Sequence, residues 1–296
     1  MYLGYEVGKI DIFKFDNDNT FVRILETVRE KDVFVVQTSM PPVDQNFMEL
    51  LITIDALKRA SAGRITAVLP YFPYARSDRK DQPRVPITAK LVADLLTTAG
   101  ANRILTCDLH SPQIQGFFNI PVDQLTAREL LCNYFLDKGY SDYVVVAPDA
   151  GSSKKAYKYA KRLKAPIAML DKRRLGNEQE VEISSVIGNV KGMRAVIFDD
   201  EIDRCSTIME SVNILQAHGV SEIYVGCTHA VFSGPAIERL KSLPINEVVV
   251  TNTIPLTDKK KLDKITVLSM APLFAETILR ICQGESVGEI FNNQLY

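Results

Sequence analysis

The chain is poor in the residues that build metal and disulfide frameworks. It has three histidines and five cysteines among 296 residues. Cys107, Cys132, Cys205, Cys227 and Cys282 are scattered and form no CxxC pair, which argues against a structural zinc site and for reduced thiols. A charge of one sign is also missing. The formal net charge is -1, so there is no global attraction to nucleic acid or to an anionic membrane, and any anion must be bound by local groups. No apolar run approaches the ~18 residues of a membrane span. The opening MYLGYEVGKIDIF lacks the basic-then-apolar order of a signal peptide, and a cytoplasmic protein is expected. The absence of tryptophan excludes nothing.

What remains is ordinary for a globular protein, with 46% hydrophobic and 24% charged residues, enough for one large or two medium domains. Short β-branched runs alternate with helical patterns. Strands are expected at 32–38, 64–71, 103–109, 143–148, 165–170, 194–200, 222–229 and 247–253. Most are nearly continuous apolar runs, as in parallel strands buried on both faces. Helices are expected over 46–62 and 88–101, the second capped by Thr88 and stopped at Gly100. The β-α-β-α order implies an α/β fold with mainly parallel sheets. A new strand series opens at Tyr143, so two domains are expected, 1–142 and 143–296.

Ligands of open α/β sheets sit beyond the carboxyl ends of the strands. Four such ends are dense in polar groups: FPYARSDRKDQPR after LPY, DLHSPQIQGFF after ILTC, PDAGSSKKA after VVVA, and DDEIDRCST after VIF. In the last, a helix start offers backbone N–H groups to an anion, and Ser206 and Thr207 add hydroxyls. Asp199 and Asp200 can accept hydrogen bonds from sugar hydroxyls or hold a divalent cation. Taken alone, the stretch reads almost as well as a capped helix with solvated acids. DKRRLGNEQEVE reads as a mobile basic loop or as a solvated turn. A lone His110 would more often be a core histidine.

The DD loop resembles the ribose-5-phosphate loop of the type I phosphoribosyltransferase fold. Together, YARSDRK, RVPITAKLVADLL, DLHSPQIQGFF, PVD, PDAG, DKRR, the DD loop, THAVFSGPAIERL and TIPL resemble the ribose-phosphate pyrophosphokinase (PRPP synthetase) family in order and spacing, over nearly the whole chain. The resemblance implies two tandem type I phosphoribosyltransferase-like domains. It implies transfer of the diphosphoryl group of ATP to the anomeric hydroxyl of ribose 5-phosphate. Lys172 and Arg174 are the implied catalytic cations. Phe15, Asn17, Asn19, Arg76, Ser77, Asp78 and His110 are implied to bind ATP, those of the FDNDN segment from a neighbouring subunit of a homo-oligomer. Asp199, Asp200, Asp203, Arg204, Cys205, Ser206 and Thr207 form the implied ribose-5-phosphate loop, and Asp149, Ala150, Gly151 and Ser152 the diphosphate loop. Mg2+ is the implied cofactor, associated with His110, Asp149 and Asp108; histidine is an uncommon magnesium ligand, so His110 is also given a direct phosphate contact.

The chain departs from the family pattern in four places. The family begins with one more strand and helix before the residue matching Leu3, so the first sheet is expected to lack an edge strand. Asn19 replaces an acid, and Ser77 replaces a glutamine that would reach adenine. In the phosphate loop, Thr-Ala/Gly-Gly-Thr becomes Arg204-Cys205-Ser206-Thr207, and PDAGG ends in Ser152. Serine at 206 is expected to hinder both the unusual backbone angles and the close approach to the phosphate that glycine permits. Arg204 is expected to reach the 5′-phosphate, to fill its place, or to pair with Asp200 or Asp203. A catalytically impaired regulatory or assembly subunit is therefore the alternative to an enzyme. A regulator that merely binds PRPP is disfavoured by YARSDRK and DKRR.

Overall fold

Backbone dictated by β-branched runs gives the expected strands almost in place. The structure, a computed structural model, describes residues 3–175 and 181–290, with side chains left out over 172–184. The chain divides into two units, Met1–Thr126 with Met270–Tyr296, and Ala127–Ser269. The expected boundary near residue 142 falls one helix later than this division.

The first unit opens with an antiparallel hairpin, β1 (Ile10–Lys14) and β2 (Thr20–Ile24), in which Phe13 faces Phe21. There follow β3 (Asp32–Val36), α1 (Val43–Arg59), β4 (Arg64–Leu69), α2 (Thr88–Ala99), β5 (Arg103–Cys107) and β6 (Val122–Leu125). The four later strands form a parallel sheet in the order β3-β4-β5-β6. Leu50, Ile54, Ile65, Ala67, Leu96 and Ile104 fill its core, each large side chain contributing roughly 1.5–3 kcal/mol by leaving water. Gly100 ends α2 at φ +125°, as expected. Thr88 is not the cap: it is the first helical residue, and the Ser77 carbonyl accepts from the Ala89 N–H at 3.2 Å instead.

The second unit begins with α3 (Arg128–Asp137), held to it by Arg162, whose Nε donates to Glu129 at 2.6 Å. Then come β7 (Tyr143–Ala147), α4 (Ser153–Leu163), β8 (Ile167–Leu175), β9 (Val181–Ile187), β10 (Arg194–Glu201), α5 (Ser206–Ala217), β11 (Glu222–His229), α6 (Ala236–Ser242), β12 (Glu247–Thr251) and β13 (Ile265–Leu268). The sheet order is β13-β12-β11-β10-β7-β8-β9, parallel except for β9. Val144, Val146, Ile197, Val225 and Val250 are fully buried in its core. From β7 the chain winds outward to β8, then returns to the other side of β7 as β10. The strand order thus reverses between β7 and β10, which is where such sheets bind ligands. The chain closes in the first unit with α7 (Ala271–Gln283), whose Ile281 carbonyl accepts from Arg64 Nη2 at 3.1 Å.

One expectation is corrected in the second unit. The strand at 165–170 does not give way to a basic loop at Asp171. The β8 backbone runs on through Lys172 and Arg174 to Leu175, because β9 supplies an antiparallel partner that pairs Lys172 with Ser184 and Arg174 with Glu182. Residues 176–180 lie outside the described residues.

Candidate active site

Both loops at the switch point belong to the second unit. β10 carries Asp199 and Asp200 on its last turn of pleat, beside the end of β7, with Asp199 opposite Cys227 of β11. The acids are not solvated: Asp200 is 8% exposed and Asp199 half-buried. Lys155, in the first turn of α4, sets its Nζ 3.3 Å from Asp199 Oδ1 and in direct contact with Asp200 Oδ1. Asp199 Oδ1 also accepts from the Asp200 N–H at 2.9 Å. Burial raises the Asp199 carboxyl to about 6; Lys155 pulls it back and the charge of Asp200 pushes it further up. Burial works against the Lys155 ammonium, but Asp200 and Asp199 outweigh it and hold it above the ordinary lysine value.

The loop expected to take the 5′-phosphate follows directly. Cys205, at φ +61°, is the N-cap residue and Ser206 the first residue of α5. The left-handed position is therefore Cys205, and Ser206 takes ordinary helical backbone, so the expected hindrance of the backbone at 206 does not arise. The first helical bond of α5 runs from Met209 N–H to the Cys205 carbonyl at 3.1 Å. The N–H groups of Ser206, Thr207 and Ile208 precede it, at the positive end of the helix dipole. Arg239 of α6 donates from Nη1 to the Arg204 carbonyl at 2.9 Å and to the Ser206 hydroxyl at 2.7 Å. The expected pairing of Arg204 with Asp200 or Asp203 does not form among the described residues. Lys155 has taken Asp200, and the Ser233 hydroxyl binds Asp203. The Arg204 guanidinium instead passes Gly234, whose missing Cβ would lie 3.8 Å from its Cζ. That is ordinary van der Waals distance; what favours glycine at 234 is its backbone, at φ +52°.

The loop after β7 is a tight polar turn. Ser152 N–H donates to Asp149 Oδ1 at 2.8 Å, and the Ser152 hydroxyl to the Asp149 carbonyl at 2.8 Å. Asp149 is exposed and aimed by this turn; a Cβ on Gly151 would stand 3.2 Å from its Oδ1.

In the first unit, Arg76 is exposed and Ser77 and Asp78 half-buried, in the turn after β4. The Ser77 N–H bonds the carbonyl of Tyr74 at 2.9 Å. His110 is exposed on the loop after β5, not a core histidine, and Asp108 before it has φ +35°. Phe15 to Asn19 form the tip of the β1–β2 hairpin, where Asn19 N–H bonds Asn17 Oδ1 at 3.2 Å. Phe13, Phe15 and Phe21 cluster with centroids 4.7–5.7 Å apart. Beside the tip lies a groove of about 530 Å³ lined by Lys14, Asp18, Asn19, Gln45 and Met48. The side chains of Lys172 and Arg174 lie outside the described residues.

Among the described residues no group of three or more His, Cys, Asp or Glu is arranged to hold a metal ion. Asp149 is exposed and Asp108 half-buried, and each taken by itself offers the single carboxylate that magnesium accepts before filling its shell with water and phosphate oxygens. No described helix is long and apolar enough to cross a membrane. Lys155, Arg239 and Ser233 escaped the sequence reading; the KK of PDAGSSKKA is the signal that pointed to the first.

Residues 1–100 match the N-terminal domain of ribose phosphate pyrophosphokinase, and residues 177–292 the phosphoribosyl synthetase-associated domain. The ribose-phosphate pyrophosphokinase of Caldanaerobacter subterraneus subsp. tengcongensis is 54% identical over 98% of this chain and 92% of its own length. That of Clostridium acetobutylicum is 51% identical over 99% and 92%. The crystal structure of phosphoribosylpyrophosphate synthetase from Mycobacterium smegmatis superposes with a TM-score of 0.89 at 46% identity, covering 95% of this chain and 93% of that one. With both halves matched and such identity along its length, the chain belongs to the ribose-phosphate pyrophosphokinase family.

Proposed function

We propose that the chain is a cytoplasmic ribose-phosphate diphosphokinase, which transfers the diphosphoryl group of ATP to the C1 hydroxyl of ribose 5-phosphate to give PRPP and AMP. One observation carries this reading: a buried acid pair, a helix N-terminus and an acid-centred polar turn converge at the β7/β10 switch point. The acid pair accepts sugar hydroxyls. The N–H groups of α5 take the 5′-phosphate, with Asp203, Arg204, Cys205, Ser206 and Thr207 shaping that loop. The turn Asp149, Ala150, Gly151 and Ser152 receives the diphosphate. The C1 oxygen bonds to the β-phosphorus and gives up its proton to solvent, the bond from that phosphorus to the oxygen of the α-phosphate breaks, and AMP leaves as its anion.

ATP is assigned to Arg76, Ser77, Asp78 and His110 of the first unit. Phe15, Asn17 and Asn19 of a neighbouring subunit complete its site in a homo-oligomer; the exposed Phe13–Phe15 cluster supports that role. Lys172 and Arg174 neutralise charge on the transferring group. Magnesium, held by Asp108 and Asp149 with His110, would neutralise ATP oxygens. An impaired subunit is the weaker reading, since Lys155 holds Asp200 and Ser233 holds Asp203, and the Arg204 guanidinium lies beside Gly234. Phosphorus NMR of purified protein with ATP, magnesium and ribose 5-phosphate tests the reaction. AMP and a sugar diphosphate should rise together; ADP in place of AMP would reject it.

A further inference from the structure

Two adjacent carboxylates at the end of a buried strand need a counter-charge, because each raises the cost of ionising the other. Lys155 supplies it from α4. Its ammonium meets Asp199 and Asp200 together, 44 and 45 residues away along the chain. The helix is fixed at that spot by a second contact. Tyr159, one turn beyond Lys155, stacks on Phe198 with centroids 3.9 Å apart and planes 8° from parallel. Phe198 is the residue before Asp199, so the lysine and the acids are carried by two elements clamped face to face.

We infer that Lys155 is a positioning residue of the ribose half-site: it neutralises the Asp199–Asp200 pair from within the chain, so that the pair receives sugar hydroxyls without a divalent cation of its own. This rests on reading the second unit as the ribose-5-phosphate half-site. Magnesium binds carboxylate oxygen at about 2.1 Å, and an ion on Asp199 Oδ1 would share that oxygen with an ammonium already 3.3 Å away. Like charges so placed repel, whereas a hydroxyl is a neutral donor and meets no such barrier. The Asp200 N–H on Asp199 Oδ1 holds that carboxylate in one orientation. The second oxygen of Asp199 keeps acceptor capacity for the sugar. The pairing also accounts for a lysine held above its usual value in a partly buried place.

Calorimetry of ribose 5-phosphate against the whole chain, in EDTA and in magnesium, tests this. Wild type should bind in EDTA within about threefold of its affinity in magnesium, and Lys155→Arg should behave alike, since the charge is kept. Lys155→Met, shown folded by circular dichroism, should lose about tenfold or more in EDTA and recover most of it in magnesium, which then takes the place of the ammonium. Wild-type affinity that falls tenfold in EDTA would overturn the inference, as would Lys155→Met binding like wild type in EDTA. If Lys155→Met does not fold, wild type and Lys155→Arg decide by the same criterion. No binding by wild type in either buffer would instead overturn the ribose half-site, and the role of Lys155 with it.

Discussion

Arg239 holds Ser206: its Nη1 lies 2.7 Å from the serine hydroxyl and 2.9 Å from the carbonyl of Arg204, so α6 ties down the loop that opens α5 at two points. Hydrogen bonds from a charged donor are worth roughly 1.5–3 kcal/mol. Arg239→Ala should therefore raise the KM for ribose 5-phosphate about tenfold and change kcat less. Ser206→Gly removes one tie and leaves the carbonyl bond, so it should cost no more than a few-fold. Steady-state kinetics with both variants checks this. A serine variant as damaging as the arginine variant would move the weight to the hydroxyl itself.

The raised Asp199 carboxyl sets a pH dependence. Between the ordinary aspartate value and about 6, the folded chain holds a proton that the unfolded chain has released. This group's contribution to stability is thus present at low pH and lost as pH rises through 6. Sugar binding has the opposite sign, since it needs the ionised acceptor. The KM for ribose 5-phosphate should rise about tenfold per pH unit once pH is well below 6. The sugar phosphate titrates in the same range. The part due to Asp199 should vanish in Asp199→Asn, and an unchanged slope in that variant would assign the whole effect to the substrate.

Gly226, mid-strand in β11, leaves space for a ring. A Cβ there would stand 2.6 Å from Cδ1 and Cε1 of Phe198, the ring stacked on Tyr159. Gly226→Ala should cost about 1–3 kcal/mol by overpacking. Urea denaturation gives the value, and magnesium-free ribose 5-phosphate affinity should fall with it if the stack positions Lys155.

Lys172 is assigned to transition-state charge. Lys172→Ala should lower kcat by about 10²-fold or more while ATP binding changes little. A rise in KM for ATP at unchanged kcat would reassign the residue to ground-state binding.

Much of the fold was legible because buried parallel strands write themselves as apolar runs; β11 spans Glu222 to His229, as read. The β1–β2 hairpin was not, since its ribbon is half in water: Ile12 and Phe13 are exposed and no continuous run forms. The short outer strands β6 and β13 fell below the same signal. In the site, the acids stood out by local sequence, but their partners did not. Lys155 and Arg239 reach across 45 and 33 residues, distances at which spacing carries no information. Arg204 shows the same limit. Acids precede it in sequence at Asp199, Asp200, Glu201 and Asp203, yet its guanidinium lies beside Gly234.

The acid pair at the switch point is proposed to serve a ribose-dependent release of AMP from ATP. The most direct measurement is the initial rate of AMP formation, with and without ribose 5-phosphate, for wild type and Asp200→Asn in magnesium. Wild type should form AMP only when the sugar is present, and the variant should lose about 10²-fold in kcat/KM for the sugar. AMP formed equally without the sugar, or a variant as active as wild type, would contradict it.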